Sequence, residues 1–108
     1  MPIPNSEHAV VSEEKVREYL LNPNHPVGGP KAVWFESLGY SLDRWEELAA
    51  DLLQLARTAD FVAKPSPFGV KYEAAGDIGR PDHRPGTVIT VWIVEANNSP
   101  RLVTAYPG

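Results

Sequence analysis

His25 and Lys31 are the residues from which chemistry is most readily built in this chain. His25 lies in Asn22-Pro-Asn-His-Pro-Val-Gly-Gly29, a run that Pro23, Pro26 and two glycines keep out of helix and strand, and Lys31 follows Pro30 at the start of a predicted helix. A helix N-terminus presents unpaired N–H groups and the positive end of a dipole. A histidine and a lysine beside it make a cradle for a phosphate, or for the oxyanion that develops in a transition state. The plainer alternative for His25 is a loop histidine braced by two prolines. Threonines at 87, 90 and 104 recur inside the C-terminal β-rich segment and offer hydroxyls where a sheet meets whatever lies against it. Asp77, Arg80, Asp82, His83 and Arg84 form a charged loop whose arginines are a second place for a phosphate.

Other chemistries find no pattern. The chain has no cysteine, which removes disulfides, thiolate metal sites and cysteine nucleophiles. His8, His25 and His83 are too widely spaced for a metal site, Gly28-Gly29-Pro30-Lys31 departs from a phosphate-binding P-loop, and there is no Gly-x-Ser-x-Gly elbow. The reading therefore predicts no metal and no cofactor.

The elements that must hold these residues follow from the pattern. The 108 residues, 43% apolar and 22% charged, suit one domain with a single packed core, residues 1–108. Ser12 is placed to cap a first helix over 13–21, in which Val16, Tyr19 and Leu20 form one apolar stripe. A second helix runs over 31–38 and stops at Gly39; a third, over 42–58, carries Trp45, Leu48, Leu52 and Leu55 on one face and Asp43, Glu46, Glu47 and Asp51 on the other. After Asp60 the period changes from helical to alternating. Strands are expected at 61–64, 68–74, 87–95 and 101–107, with a break at Pro65-Ser-Pro67, a polar loop over 76–86 and a hairpin connection at Asn97-Asn98-Ser99-Pro100. Helices first and strands afterwards predict an α+β domain, with helices packed on one face of an antiparallel sheet of about four strands. Trp45, Leu48, Leu52, Leu55, Val91, Ile93 and Leu102 are expected in the core. Trp92 is assigned to the core in preference to a surface where it would stack on a base.

The net charge of −4 argues against a generally nucleic-acid-binding surface, and the deficit lies wholly in residues 1–60, where five Lys/Arg face ten Asp/Glu. An acidic exterior still permits a local basic pocket. No apolar run approaches the roughly 18 residues of a membrane span, and the first residues lack a signal-peptide pattern, so the expected location is cytoplasmic, without a membrane partner.

The ordered set Glu14-Lys15, Tyr19-Leu20-Leu21, Asn22-Pro23-x-His25-Pro26-x-Gly28, Lys31-Ala32, Phe35-x-x-x-Gly39, Phe68-Gly69-x-Lys71-Tyr72, Thr90-Val91-Trp92-Ile93-Val94 and Pro100-Arg101-Leu102-Val103-Thr104-Ala105-Tyr106 resembles a family of small bacterial proteins defined as a domain of unknown function. At greater distance, helices followed by a four-stranded antiparallel sheet ending in Leu-Val-Thr-Ala-Tyr-Pro are similar to the barnase/EndoU/colicin/RelE group of metal-independent ribonuclease toxins. That likeness implies a site combining a His or Lys from the helical half with Arg, Ser/Thr and Tyr from the strands. By position it selects His25, Lys31, Thr90 and Thr104 as catalytic groups, and Arg101, Tyr106 and Lys71 as groups that bind RNA. The implied reaction is transesterification by the ribose 2′-OH. The competing class is a non-enzymatic acidic module of antitoxin or immunity type, whose Glu46/Glu47 helix face meets a basic protein. Convergence of His25, Lys31 and the threonines in one cleft separates the two.

Overall fold

The computed structural model describes residues 3–26, 29–95 and 99–108. Its centre is a four-stranded sheet in the order β1-β2-β3-β4, every neighbouring pair antiparallel: β1 (Val62–Ser66), β2 (Gly69–Ile78), β3 (Gly86–Val94) and β4 (Arg101–Pro107). Helices precede the strands and pack on the sheet, so the fold is α+β as the change of period near Asp60 predicts. Asn97 and Asn98, assigned to the turn between the last two strands, lie outside the described residues.

The helical half departs from regular geometry. After a 3₁₀ turn at Ser6–His8, the first of the expected helices is a π-helix over Lys15–Leu20, entered through Ser12, whose Oγ accepts the Lys15 N–H at 3.1 Å. The second is α1 (Gly29–Ser37), after which Gly39 turns the chain with φ 98°. The third divides into a 3₁₀ turn, Leu42–Arg44, and α2 (Trp45–Thr58). Along α2, Leu48, Ala49, Leu52 and Ala56 are buried while Glu46 faces solvent, the amphipathic division read from the spacing.

Two strand boundaries differ from expectation, for identifiable reasons. β1 runs through Pro65, which was expected to break it. β1 is an edge strand, and there the missing N–H of proline costs no ladder bond. β2 continues through Gly76 and Asp77 to Ile78, into what was read as loop. Both are weak strand formers, but they pair with Val88 and Thr87, and the Thr87 hydroxyl donates to Asp77 Oδ1 at 2.8 Å.

The core lies between helices and sheet. On its sheet side it contains Tyr72, Ala74, Val88, Trp92, Leu102 and Ala105; on its helical side, Val16, Leu20, Phe35, Leu48 and Leu52. Trp92 is fully buried, as expected. Val91 is a correction. It was placed in the core, yet it registers with Glu73 and Thr104 on the opposite face and is only partly buried. Ile93 is buried outside the main cluster, and Trp45 and Leu55 pack at the margin of the core. β3 is apolar without a break from Val91 to Val94, so its sequence leaves the phase of the alternation open there; pairing of Trp92 with Tyr72 and Leu102 sets it.

Two polar devices join the parts. Val10 forms a parallel bridge with Arg101, its N–H donating to the Pro100 carbonyl at 2.8 Å, which lays the N-terminal arm along β4. Arg80, between β2 and β3, pairs with Glu47 at 3.1 Å and Asp51 at 3.4 Å on α2, and Tyr40 donates its hydroxyl to Asp51 Oδ2 at 2.6 Å. Arg80 is thereby committed to holding α2 against the sheet.

Candidate functional site

Because Thr104 and Tyr106 alternate with the buried Ala105, both project from the face of β4 opposite the core, beside Val91 and Glu73. α1 packs beside this edge strand, and Lys31, in its first turn, extends over that face. The Lys31 ammonium donates to the Tyr19 phenolic oxygen at 2.6 Å and to Thr104 Oγ1 at 3.1 Å, and lies 5.9 Å from the centre of the Tyr106 ring. The sequence separation of Lys31 and Thr104 is 73 residues, so the fold alone brings them together.

His25 enters the same group through Tyr19. The Asn22 side-chain oxygen accepts the Asn24 N–H at 3.0 Å and its carbonyl accepts the His25 N–H at 3.2 Å, a turn that the prolines reinforce. The His25 carbonyl then accepts from Gly29 at 2.8 Å, linking the loop to α1. Gly29 has to be glycine here, because a Cβ would stand 2.6 Å from the Pro23 carbonyl oxygen. So placed, the His25 ring tilts against the Tyr19 ring with centroids 4.9 Å apart. A cleft of about 480 Å³, lined by Ser12, Glu14, Lys15, Glu18, Tyr19 and His25, opens beside the pair.

From the sequence, Tyr19 is a member of an apolar stripe and of the ordered family motif, with no role in the site. In the structure it links His25, Lys31 and Thr104, with the Lys15 ammonium 5.2 Å from its ring centre. Its phenol is held below the ordinary tyrosine value, chiefly by the hydrogen bond from Lys31, with further help from Thr104 and the charges of Lys31 and Lys15 and against the opposing effect of burial. The signal available in the sequence was the hydroxyl itself, since a tyrosine packed on a helix stripe must direct its O–H to a partner.

The remaining expected site residues are distributed around this group. Tyr106 donates its hydroxyl to Glu73 at 3.5 Å, and Glu73 also pairs with Lys64 at 3.2 Å. Lys71 registers between Lys64 and Ile93 on the same outward face. Arg101, at the start of β4, is bound through Nε and Nη2 to Glu95 at 3.0 and 2.5 Å. Thr90 is placed elsewhere: it pairs with Ala74 and Ala105 on the core face, is 1% exposed, and its hydroxyl has no hydrogen-bond partner among the described residues. The structure thus brings together His25, Lys31, Thr104 and Tyr106, adds Tyr19, and leaves Thr90 beneath the sheet. No group of His, Asp and Glu suited to a metal ion occurs among the described residues.

Chemically, the arrangement offers a cation fixed by two hydroxyl oxygens, an imidazole in a loop and an aromatic wall. Such a group can hold an anion and move protons around it.

Helices on one face of an antiparallel meander, with polar groups from both halves meeting at the last strand, define an α+β protein with a composite site. The chain belongs to the family described as Domain of unknown function (DUF6883), whose model matches residues 2–108, as the ordered motifs led us to expect. Its fold is similar to that of a chain in the contact-dependent growth inhibition toxin–immunity protein complex from Klebsiella pneumoniae 342, with a TM-score of 0.75 at 17% identity over 97% of each chain. No curated protein matches the sequence. Among the described residues, no helix is long and apolar enough to cross a membrane.

Proposed function

We propose that this protein is a metal-independent ribonuclease of the toxin type, with RNA as substrate and a cognate protein as its inhibitory partner. The observation that carries the reading is the meeting of His25, Tyr19, Lys31 and Thr104, three of which were selected from the sequence for this chemistry. In the reaction His25 takes the proton of a ribose 2′-OH, the 2′ oxygen bonds to the adjacent phosphorus, and the bond to the 5′ oxygen breaks, leaving a 2′,3′-cyclic phosphate and a 5′-hydroxyl. Lys31 steadies the charge on the phosphorane, and Thr104 orients Lys31. Tyr106 and Lys71, on the face of the sheet opposite the core, bind the flanking strand, and Arg101 joins them when it exchanges Glu95 for a phosphate.

Similarity of fold to a chain from a toxin–immunity complex is consistent with this role. An acidic interaction module is the other role consistent with that similarity and with the −4 charge. It is less well supported, because Glu47 and Asp51 on the expected acidic face are already paired with Arg80.

The test is incubation of purified protein with RNA in EDTA, scoring cyclic phosphate ends. Wild-type protein should cut, and His25→Ala should be inert while unfolding at nearly the wild-type temperature. Wild-type protein that leaves RNA of varied sequence and structure intact would overturn the assignment.

A further inference from the structure

Transesterification needs a second proton transfer, to the leaving 5′ oxygen, and the roles assigned above leave it without a donor. We propose that Tyr19 is the general acid of the reaction, delivering its phenolic proton to that oxygen. The inference rests on the ribonuclease reading and adds a catalytic group to it.

Position comes first. The Tyr19 oxygen is 2.6 Å from the ammonium that would neutralise the phosphorane, so a phosphate oxygen bound to Lys31 lies within reach of the phenol. Direction comes second. The Tyr19 oxygen accepts its hydrogen bond from Lys31, an ammonium that can only donate, so the phenolic proton is available to another acceptor. Access comes third, because Tyr19 is only partly buried and lines the cleft of about 480 Å³ beside His25, on which a departing nucleotide can be seated.

The neighbouring groups are poorer donors. An ammonium that gave up its proton would lose the charge needed at the phosphorus, and an aliphatic hydroxyl such as Thr104 is a much weaker acid than a phenol. The Tyr106 hydroxyl is directed at Glu73. The π-helical turn also acquires a purpose: π-turns recur at functional sites, and this one carries Tyr19 on Lys15–Leu20 between buried Val16 and Leu20.

In the completed step the 2′-OH proton moves to His25, the 2′ oxygen–phosphorus bond forms as the phosphorus–5′ oxygen bond breaks, and the Tyr19 proton passes to the 5′ oxygen. The resulting phenolate is held by Lys31 and Thr104, whose hydrogen bonds already depress the phenol. Transfer of the imidazolium proton to the phenolate through solvent restores both groups. The charged and titratable groups around Tyr19 are Lys15, Glu14 and Glu18 from its own segment, His25 from the loop, Lys31 from α1 and, beyond Lys31, Tyr106 from β4.

The experiment compares two leaving groups in the Tyr19→Phe protein, which keeps the ring and loses only the hydroxyl. RNA leaves as an alkoxide and requires the acid; a mixture of the nucleoside 3′-nitrophenyl phosphates is cleaved by the same 2′-OH attack but leaves as a stable phenolate. Tyr19→Phe should lose about 100-fold or more on RNA, the low end of general acid catalysis, while cleaving the nitrophenyl esters at close to the wild-type rate. Equal losses on both substrates would overturn the proposal, showing that Tyr19 only positions Lys31, and so would equal retention. Wild-type protein inert on both substrates would instead remove the ribonuclease reading itself. A thermal unfolding curve for Tyr19→Phe ensures that a loss on RNA alone is read as chemistry.

Discussion

The Lys31 ammonium and the Tyr19 phenolic oxygen lie 2.6 Å apart, joining the first turn of α1 to the π-helix across the edge of the sheet. Since Lys31 is the largest influence holding the Tyr19 phenol down, removing the charge must let the phenol rise toward the ordinary value. Lys31→Met should therefore move the Tyr19 titration to higher pH, as read by tyrosinate absorbance against Tyr19→Phe. It should also abolish RNA cleavage. An unmoved titration would show that the contact does not persist in solution.

Thr90 and Thr104 should behave as opposites. Thr104→Val removes a hydroxyl to which Lys31 donates, and should lower cleavage strongly with little effect on folding. Thr90→Val replaces a buried hydroxyl that lacks a partner with a methyl of nearly the same shape. It should leave cleavage intact and raise stability by about 1 kcal/mol, within the cost of an unsatisfied buried polar group. Urea midpoints and cleavage rates for the two variants check this, and a Thr90→Val protein that folds but cannot cut would return Thr90 to the site.

Tyr40 sets an alkaline limit on stability. Burial, reinforced by the hydrogen bond to Asp51, pushes its phenol far above the usual value. A raised folded-state value means that the contribution is fully present below about pH 10, where a tyrosine in the unfolded chain titrates, and declines as pH climbs further because the unfolded chain ionises first. Wild-type protein should lose stability above about pH 10 more steeply than Tyr40→Phe. Denaturant titrations across that range measure the two slopes, and parallel slopes would refute the assignment.

Leu52 sits at the fully buried centre of α2. Leu52→Ala should cost about 2 to 5 kcal/mol in a denaturant titration, the range for a large-to-small change in an enclosed site. A loss well below 1 kcal/mol would show that the helix face was assigned wrongly.

The broad architecture could be read from the sequence because the hydrophobic period changes once, near Asp60, and each side of that change is strongly patterned. Detail failed where local preference and tertiary context disagree. Pro65, Gly76 and Asp77 are poor strand residues that the sheet accommodates at an edge or through pairing. Alternation did not separate Val91 from Trp92, since β3 is apolar without a break from Val91 to Val94.

The candidate site divides in the same way. His25 and Lys31 were visible because a proline-braced loop before a helix start is a local feature. Thr104 and Tyr106 were selected by position within the last strand, and the pleat turns both toward Lys31. Thr90 has the same residue type and similar surroundings in sequence, but an even offset from Trp92 puts it on the core face. Tyr19 carried no local mark, because its partners come from α1 and β4, and contacts so distant in the chain leave no spacing to count.

The meeting of Lys31 with Thr104 also bears on how the protein is made. A ribosome releases the helical half long before β4, and until β4 pairs with β3 the Lys31 ammonium has neither Thr104 to orient it nor the Tyr106 wall beside it. A nascent or truncated chain lacking the last strand would hold half a site. If the assembled group cuts RNA, activity requires β4 to be paired with β3, and that paired form is the one an inhibitory partner has to recognise.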